Sequence, residues 1–61
     1  MENKYIAQVI VERLSAVEKI CDRYTLSGWI DEGPTRNEQG KLVLNFKSAK
    51  LIPKPDISDL Q

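Results

Sequence analysis

The fold of this chain depends on how residues 4–24, KYIAQVIVERLSAVEKICDRY, are interpreted. Apolar residues recur in this stretch at intervals of three and four, which is the spacing of one face of an α-helix. Asn3 is a suitable N-cap, and no Gly or Pro interrupts the run. Two residues depart from the pattern, since Val11 falls on the polar side and Arg13 falls within the apolar side. The pattern predicts one long amphipathic helix.

A second interpretation divides the same stretch in two. Residues 5–11 are rich in β-branched side chains, which suit strands, and a shorter helix would then run from Ser15 to Tyr24. Short apolar runs fit both periods, so periodicity alone does not separate the two structures. The long helix is our first prediction, and a small, mostly β meander with residues 5–11 as a strand is the alternative.

Beyond residue 24 the apolar residues follow a period of two. Residues 24–30 and 42–47 alternate apolar and polar side chains, and the polar loop 32–40 separates them with two Gly and one Pro. The simplest arrangement is an antiparallel hairpin. Its predicted inner face consists of Leu26, Ile30, Leu42, Leu44 and Phe46. Because an isolated hairpin is barely stable, we predict an α+β fold in which the N-terminal helix packs on the hairpin.

The length of 61 residues is enough for one small domain, which we assign to residues 1–52. Pro53 and Pro55 favour an extended path and cannot continue a sheet except at an edge. We therefore predict an extended, Pro-containing C-terminal tail over residues 53–61. This tail is either frayed or held by its apolar side chains.

The composition excludes several classes of protein. Nine Lys plus Arg residues balance nine Asp plus Glu residues, which argues against binding nucleic acid or membranes through bulk charge. No run approaches the roughly 20 apolar residues that a membrane span needs, so we expect no membrane association. The single Cys cannot form an internal disulfide, and no signal-peptide pattern is present. These features predict a cytoplasmic protein.

The chain lacks the residues that most catalytic and metal sites need. It has no His, and Cys21 falls on the apolar side of the predicted helix without a base beside it. Neither the P-loop nor the dinucleotide-binding glycine pattern occurs. We therefore predict that the protein is not an enzyme and that it has no cofactor and no metal site.

The predicted long helix has a wider apolar face than the stripe of roughly 100° that suits a helix packed on one core. A second copy of the chain is the commonest cover for such an excess, so we predict a homodimer. We predict a small accessory or regulatory protein that binds another protein, as inhibitors or adaptors of bacteria and their viruses do. Loop 32–40 should contribute to recognition. The predicted protein interface consists of Ile6, Ile10, Arg13, Val17, Trp29, Ile57 and Leu60.

Two of these residues have alternative roles. Arg13 either pairs with an acidic side chain across the dimer or extends its guanidinium into water. Trp29 is either packed under the loop or exposed as an interface anchor.

The alternative function is nucleic-acid binding by a basic face of the hairpin, with Trp29 close enough to stack on a base. These cations have a second explanation, because Lys residues on a solvated strand edge prevent aggregation with other strands. The residues that would contact nucleic acid are Arg36, Lys41, Lys47 and Lys50.

Overall fold

The computed structural model describes residues 4–61, which form a three-stranded antiparallel sheet covered on one face by a helix. The strand order is β1-β3-β2, so β3 lies in the middle. The α+β fold class is therefore confirmed. The elements in chain order are β1 (Tyr5–Ile10), a 3₁₀ turn (Leu14–Ala16), α1 (Val17–Leu26), β2 (Ile30–Arg36) and β3 (Leu42–Ser48).

Residues 5–10 form a strand and not the first half of a long helix. β1 pairs with β3 along its whole length, and alternate residues such as Ala7 and Val9 are buried toward α1. The β-branched residues of this run suit a pleated surface, and β3 offers them a ladder of hydrogen bonds. The prediction of one helix over 4–24 was therefore wrong, and the alternative strand over 5–11 followed by a shorter helix is confirmed.

Helix α1 ends in a turn that carries Trp29 into the core. The Trp29 N–H donates to the Tyr24 carbonyl at 3.0 Å, and the Gly28 N–H donates to the Thr25 carbonyl at 3.1 Å. These are the two hydrogen bonds of a Schellman motif. Gly28 has a φ of +107°, which residues with a Cβ rarely adopt. The turn brings the centroids of the Trp29 and Tyr24 rings to 6.1 Å.

The first strand of the hairpin lies further along the chain than predicted. Residues 24–26 complete α1, and β2 begins only at Ile30. β2 continues through Gly33 and Pro34, which the sequence analysis placed in loop 32–40. A register shift between Asp31 and Gly33 marks an irregularity in the ladder, and an edge strand tolerates both a bulge and a proline.

This displacement changes which side chains face the helix. Ile30 lies opposite Lys47 on the face away from α1, and it is 50% exposed. Leu26 lies in the last turn of α1 and is 88% exposed. The prediction that Ile30 and Leu26 belong to the inner face was therefore wrong. Leu44 and Phe46 are buried against α1, as predicted.

The core lies between α1 and the sheet. Its largest fully buried side chains are Phe46, Ile20 and Leu44. The rings of Tyr24 and Phe46 are stacked, with their centroids 4.3 Å apart. Helix and central strand are therefore held together mainly by the contact of aromatic and aliphatic side chains.

Residues 53–61 run along α1 and pack against the core. Ile57 and Leu60 are half-buried and contact the core residues. The Arg23 guanidinium donates to both carboxylate oxygens of Asp59, at 2.6 and 2.8 Å, and to the Asp56 carbonyl at 2.8 Å. The apolar side chains of this segment act as anchors, which was one of the two predicted alternatives.

We expect this attachment to weaken in acid. The hydrogen bond from Arg23 holds the pKa of Asp59 below its ordinary value. A carboxyl group with a lower pKa in the folded state adds stability that is full above the unfolded pKa of about 3.9 and is lost as the pH falls through the folded value. Below about pH 4 the melting temperature should decrease as the pH is lowered. In the Asp59→Asn variant this decrease should be smaller. Identical pH profiles of the two proteins would contradict the role of this ion pair.

Candidate functional site

One face of the sheet is left uncovered by α1, and we call it the open face. Alternate residues of the three strands form it, because successive side chains of a strand point to opposite sides. Its rows, read across β1, β3 and β2, are Ile6–Lys47–Ile30, Gln8–Asn45–Gly33 and Ile10–Val43–Thr35.

A polar network occupies the middle of the open face. The Gln8 Nε2 atom donates to Asn45 Oδ1 at 3.0 Å. The Asn45 Nδ2 atom donates to the Gly33 carbonyl and to Thr35 Oγ1, each at 3.0 Å. Asn45, on the central strand, therefore links both edge strands and holds their side chains in place.

Apolar side chains flank this network on two sides. Ile6 is 69% exposed in one outer row, and Ile10 is 45% exposed in the other. Ile30 adds a third exposed β-branched side chain across the sheet from Ile6. Ile6 and Ile30 are separated by Lys47 in their row, and Ile10 lies beyond the polar network, so apolar and polar groups alternate over this surface.

A shallow cavity of about 400 Å³ lies at the Ile10 end of the open face. Its floor includes the buried Val43, and its walls combine apolar and polar side chains. Such a cavity can receive one side chain of a bound molecule. Its lining residues are Gln8, Ile10, Thr35, Arg36, Asn37 and Val43.

The charged groups around the open face pair with one another. Lys47 Nζ lies 3.2 Å from Glu32 Oε2, and Lys41 Nζ lies 3.6 Å from Glu12 Oε2. Arg36 donates to a backbone carbonyl of its own turn at 2.8 Å. Two of the cations around this surface, Lys47 and Lys41, are therefore paired with carboxylates.

The cations predicted to contact nucleic acid are not gathered in one patch. Arg36 and Lys41 lie at the turn between β2 and β3, whereas Lys47 and Lys50 lie at the other end of β3. The aromatic side chains also lie on the other side of the sheet. They are Tyr5, Tyr24, Trp29 and Phe46. The open face thus offers no aromatic ring on which a base could stack.

The residues predicted as a protein interface are also separated by the structure. Ile6 and Ile10 lie on the open face, and Arg13 is exposed in the link between β1 and α1. Arg13 therefore does not lie in the middle of an apolar helix face, because the helix begins after it.

The other four predicted interface residues contact the core of their own chain. Trp29 is only 4% exposed, so of its two predicted roles the structure shows packing and not that of an exposed anchor. Val17, Ile57 and Leu60 are half-buried against the core. The predicted excess of apolar helix surface is absent because its first half is β1, a strand of the sheet.

Most of the open face was not predicted from the sequence. Gln8, Thr35 and Asn45 were not candidates, and Ile30 was assigned to the interior. The alternation within residues 42–47 was one signal, whereas residues 5–10 alternate poorly because Gln8 is their one polar side chain. Once both stretches are recognised as paired strands, the even residues of the first and the odd residues of the second share a face.

The surroundings of Cys21 lower the reactivity of its thiol. Burial raises the pKa of the Cys21 thiol, and the carboxylates of Asp31 and Asp22 raise it further. A raised pKa keeps the thiol protonated near neutral pH and makes it a weak nucleophile. Within residues 4–61, no three His, Cys, Asp or Glu side chains are grouped as metal ligands would be.

Comparisons give no relative for this chain. No protein-family model, curated protein or solved structure matches it. Over residues 4–61, no helix has the length and apolar character needed to cross a membrane.

Proposed function

We propose that this protein is a non-enzymatic binding module, a small accessory or regulatory protein that acts as an inhibitor or adaptor by binding another protein through its open face. The observation that carries the proposal is the combination of exposed Ile6, Ile10 and Ile30 with a hydrogen-bonded polar network on one regular surface. Protein interfaces typically combine apolar contacts with polar groups in this way.

The rigidity of the open face supports this proposal. The side chains of Ile6, Ile10 and Ile30 are β-branched, so they have few rotamers to lose on binding. The amide of Asn45 is fixed by hydrogen bonds to both neighbouring strands. A surface that is ordered before binding loses less entropy when a partner binds.

The charged groups of the open face form ion pairs, including Lys47, which lies on the central strand between Ile6 and Ile30. The ion pairs Lys47–Glu32 and Lys41–Glu12 are partly exposed and lie at opposite ends of β3. The charges next to the apolar and amide groups are therefore already paired. A partner can therefore cover the centre of the open face without burying an unpaired charge.

Nucleic-acid binding through Arg36, Lys41, Lys47 and Lys50 is the weaker candidate. Lys41 and Lys47 have acidic partners, which reduces the attraction of this region for phosphate. The aromatic side chains lie on the other face, where Tyr24, Trp29 and Phe46 are buried. Binding of random-sequence oligonucleotides that weakens steeply with added salt would favour this alternative.

The cytoplasmic location and the homodimer also remain proposals. The single thiol of Cys21 supports a reducing compartment. The homodimer no longer has an apolar helix face to support it, and its strongest support is the edge of β1.

The test of the proposed function compares capture of partners by wild-type protein and by open-face variants. Ile10→Glu and Ile30→Glu each place a charge on an exposed apolar residue of the open face. The matched control is Leu26→Glu, because Leu26 is more exposed than either and lies on α1. We expect a partner identified by capture from the native host to bind both open-face variants roughly tenfold more weakly, and the control unchanged, in calorimetric titrations.

A captured protein that binds wild type, both open-face variants and the control with the same affinity does not use the open face. Circular dichroism of each variant separates loss of binding from loss of the fold.

A further inference from the structure

We propose that two copies of this chain associate through the outer edges of their β1 strands, which joins two sheets into one continuous sheet. This rests on the homodimer proposed above and names the edge that forms it; the pairing uses backbone groups of that edge and does not require the open face to bind another protein. It names a second copy of the chain as the occupant of that edge.

The direction of the backbone groups on β1 follows from one hydrogen bond. The Val11 N–H donates to the Leu42 carbonyl at 2.9 Å, so the odd-numbered residues of this strand exchange hydrogen bonds with β3. The N–H and C=O groups of the even-numbered residues therefore point away from the sheet. β1 is an edge strand, which leaves these groups available to another chain.

The side chain of Gln61 already occupies one end of this edge. Its Oε1 atom accepts from the Glu12 N–H at 3.0 Å, and its Nε2 atom donates to the Ile10 carbonyl at 2.8 Å. The carboxamide thus makes the two hydrogen bonds that a peptide group of an added strand would make. Over the part of the chain that the structure describes, no other group bonds to the outer edge, so residues 4–8 remain open.

The two edges of the sheet differ in their protection against pairing. β2 has an irregular register between Asp31 and Gly33, a charged Glu32, and Pro34, which has no N–H. Bulges, charges and prolines are the features by which edge strands avoid other strands. β1, with the sequence YIAQVI, has a regular register, no charge and no proline. Strand addition is therefore favoured at β1.

A second copy fits this edge because β1 is complementary to itself. In an antiparallel pair centred on Ile6, the Ile6 residues of the two copies face each other and Lys4 faces Gln8. Each facing pair exchanges two N–H···O bonds, and none of these bonds displaces Gln61. No like charges meet, and the formal net charge of zero produces no overall repulsion between copies.

The same register brings side chains together on the open face. The Ile6 side chain is 69% exposed in one chain, and in the pair it would contact Ile6 of the second copy. Their contact buries apolar surface at the two-fold axis, where a homodimer needs only one self-complementary patch. The two open faces then form one surface with two copies of each contact residue.

Disulfide trapping tests the pairing and its register. In a Cys21→Ser background, Ile6→Cys should form a cross-linked dimer under mild oxidation, since Cα atoms of a facing pair lie about 5.5 Å apart. The matched control is Ile10→Cys, which changes the same residue type on the same strand and face but lies far from its own copy. The proposal is overturned if Ile10→Cys cross-links as much as Ile6→Cys, and also if neither variant cross-links. More cross-linking of Gln8→Cys than of Ile6→Cys overturns the register.

Sedimentation provides a second readout without cysteine. The wild-type chain should change from one to two copies over roughly micromolar concentrations, as small interfaces do. Ile6→Lys should weaken association at least about tenfold, because like charges would face each other at the axis. Ile30→Lys, the matched change on β2, should leave association intact. A wild-type chain that stays monomeric at about millimolar concentration overturns the proposal.

These variants also separate the pairing from partner binding. Ile30 lies on the open face but not on the β1 edge. An Ile30 variant that still dimerises but loses its partner supports both proposals, whereas one that keeps its partner contradicts only the proposed function. Failure of Ile6→Cys to cross-link contradicts only the pairing.

Discussion

Phe46→Ala should unfold most of the molecules at 25 °C. Phe46 lies on the central strand, is fully buried, and stacks on Tyr24 with ring centroids 4.3 Å apart. Replacing a buried Phe by Ala costs about 3–5 kcal/mol. Domains have about 0.05–0.15 kcal/mol of stability per residue, so in so short a chain the loss is comparable to the whole free energy of unfolding.

Urea denaturation followed by far-ultraviolet circular dichroism measures this effect. The matched control is Leu51→Ala, which also truncates a large apolar side chain but one that is 79% exposed. Exposed substitutions of this kind change stability by no more than about 0.5 kcal/mol. If Phe46→Ala unfolds at nearly the urea concentration of the control, Phe46 does not have the central position described here.

Gly28→Ala should destabilise the protein by about 2 kcal/mol. The left-handed conformation of Gly28 costs residues with a Cβ about 1–2 kcal/mol. An added Cβ would also lie only 3.0 Å from Ile52 Cδ1, so the Ile52 side chain would have to move from its place against the core. Because the same turn directs Trp29 into the core, its distortion affects more than the end of the helix.

Gly40→Ala is the control for this prediction. Gly40 also has a positive φ, +79°, but an added Cβ there meets no atom within 4 Å. The Gly40→Ala variant should lose only the stability that the left-handed backbone conformation costs, about 1 kcal/mol. If both variants lose the same stability, the contact with Ile52 contributes nothing at Gly28. If Gly28→Ala loses no stability, the proposed conformation of the turn that ends α1 is wrong.

The class of fold was predictable, but the structure of residues 5–10 was not. The apolar positions of this run fit a helix and a strand alike, and the decision comes from β3, whose partner residues lie far along the chain. Two local signs favoured the strand. Val11 fell on the polar side of the helical pattern and is buried in the sheet, and Arg13 fell within the apolar side and is exposed.

The position of β2 was mispredicted for a different physical reason. Gly33 and Pro34 are turn-forming residues in most contexts, so the sequence favoured a loop. Both are compatible with an edge strand, because its outer N–H groups need no partner in the sheet. Whether a strand lies at an edge depends on the whole topology, which local sequence does not contain.

The open face was unpredictable for the same reason. It exists only because β1 joins β3 opposite β2, which aligns Gln8 with Asn45 and Ile6 with Lys47. The predicted two-stranded hairpin had no such surface. The packing of Ile57 and Leu60 on the core was one of two predicted alternatives for the tail, although both residues were also predicted to contact a partner.

The order of the strands also sets the sequence of events when the chain is made. β1 is synthesised first, but its only partner in the sheet is β3, and the hydrogen-bonded residues Gln8 and Asn45 are 37 positions apart. Contacts between distant parts of a chain form slowly. During synthesis, β1 must therefore stay unpaired, with its isoleucines exposed, until β3 has emerged from the ribosome.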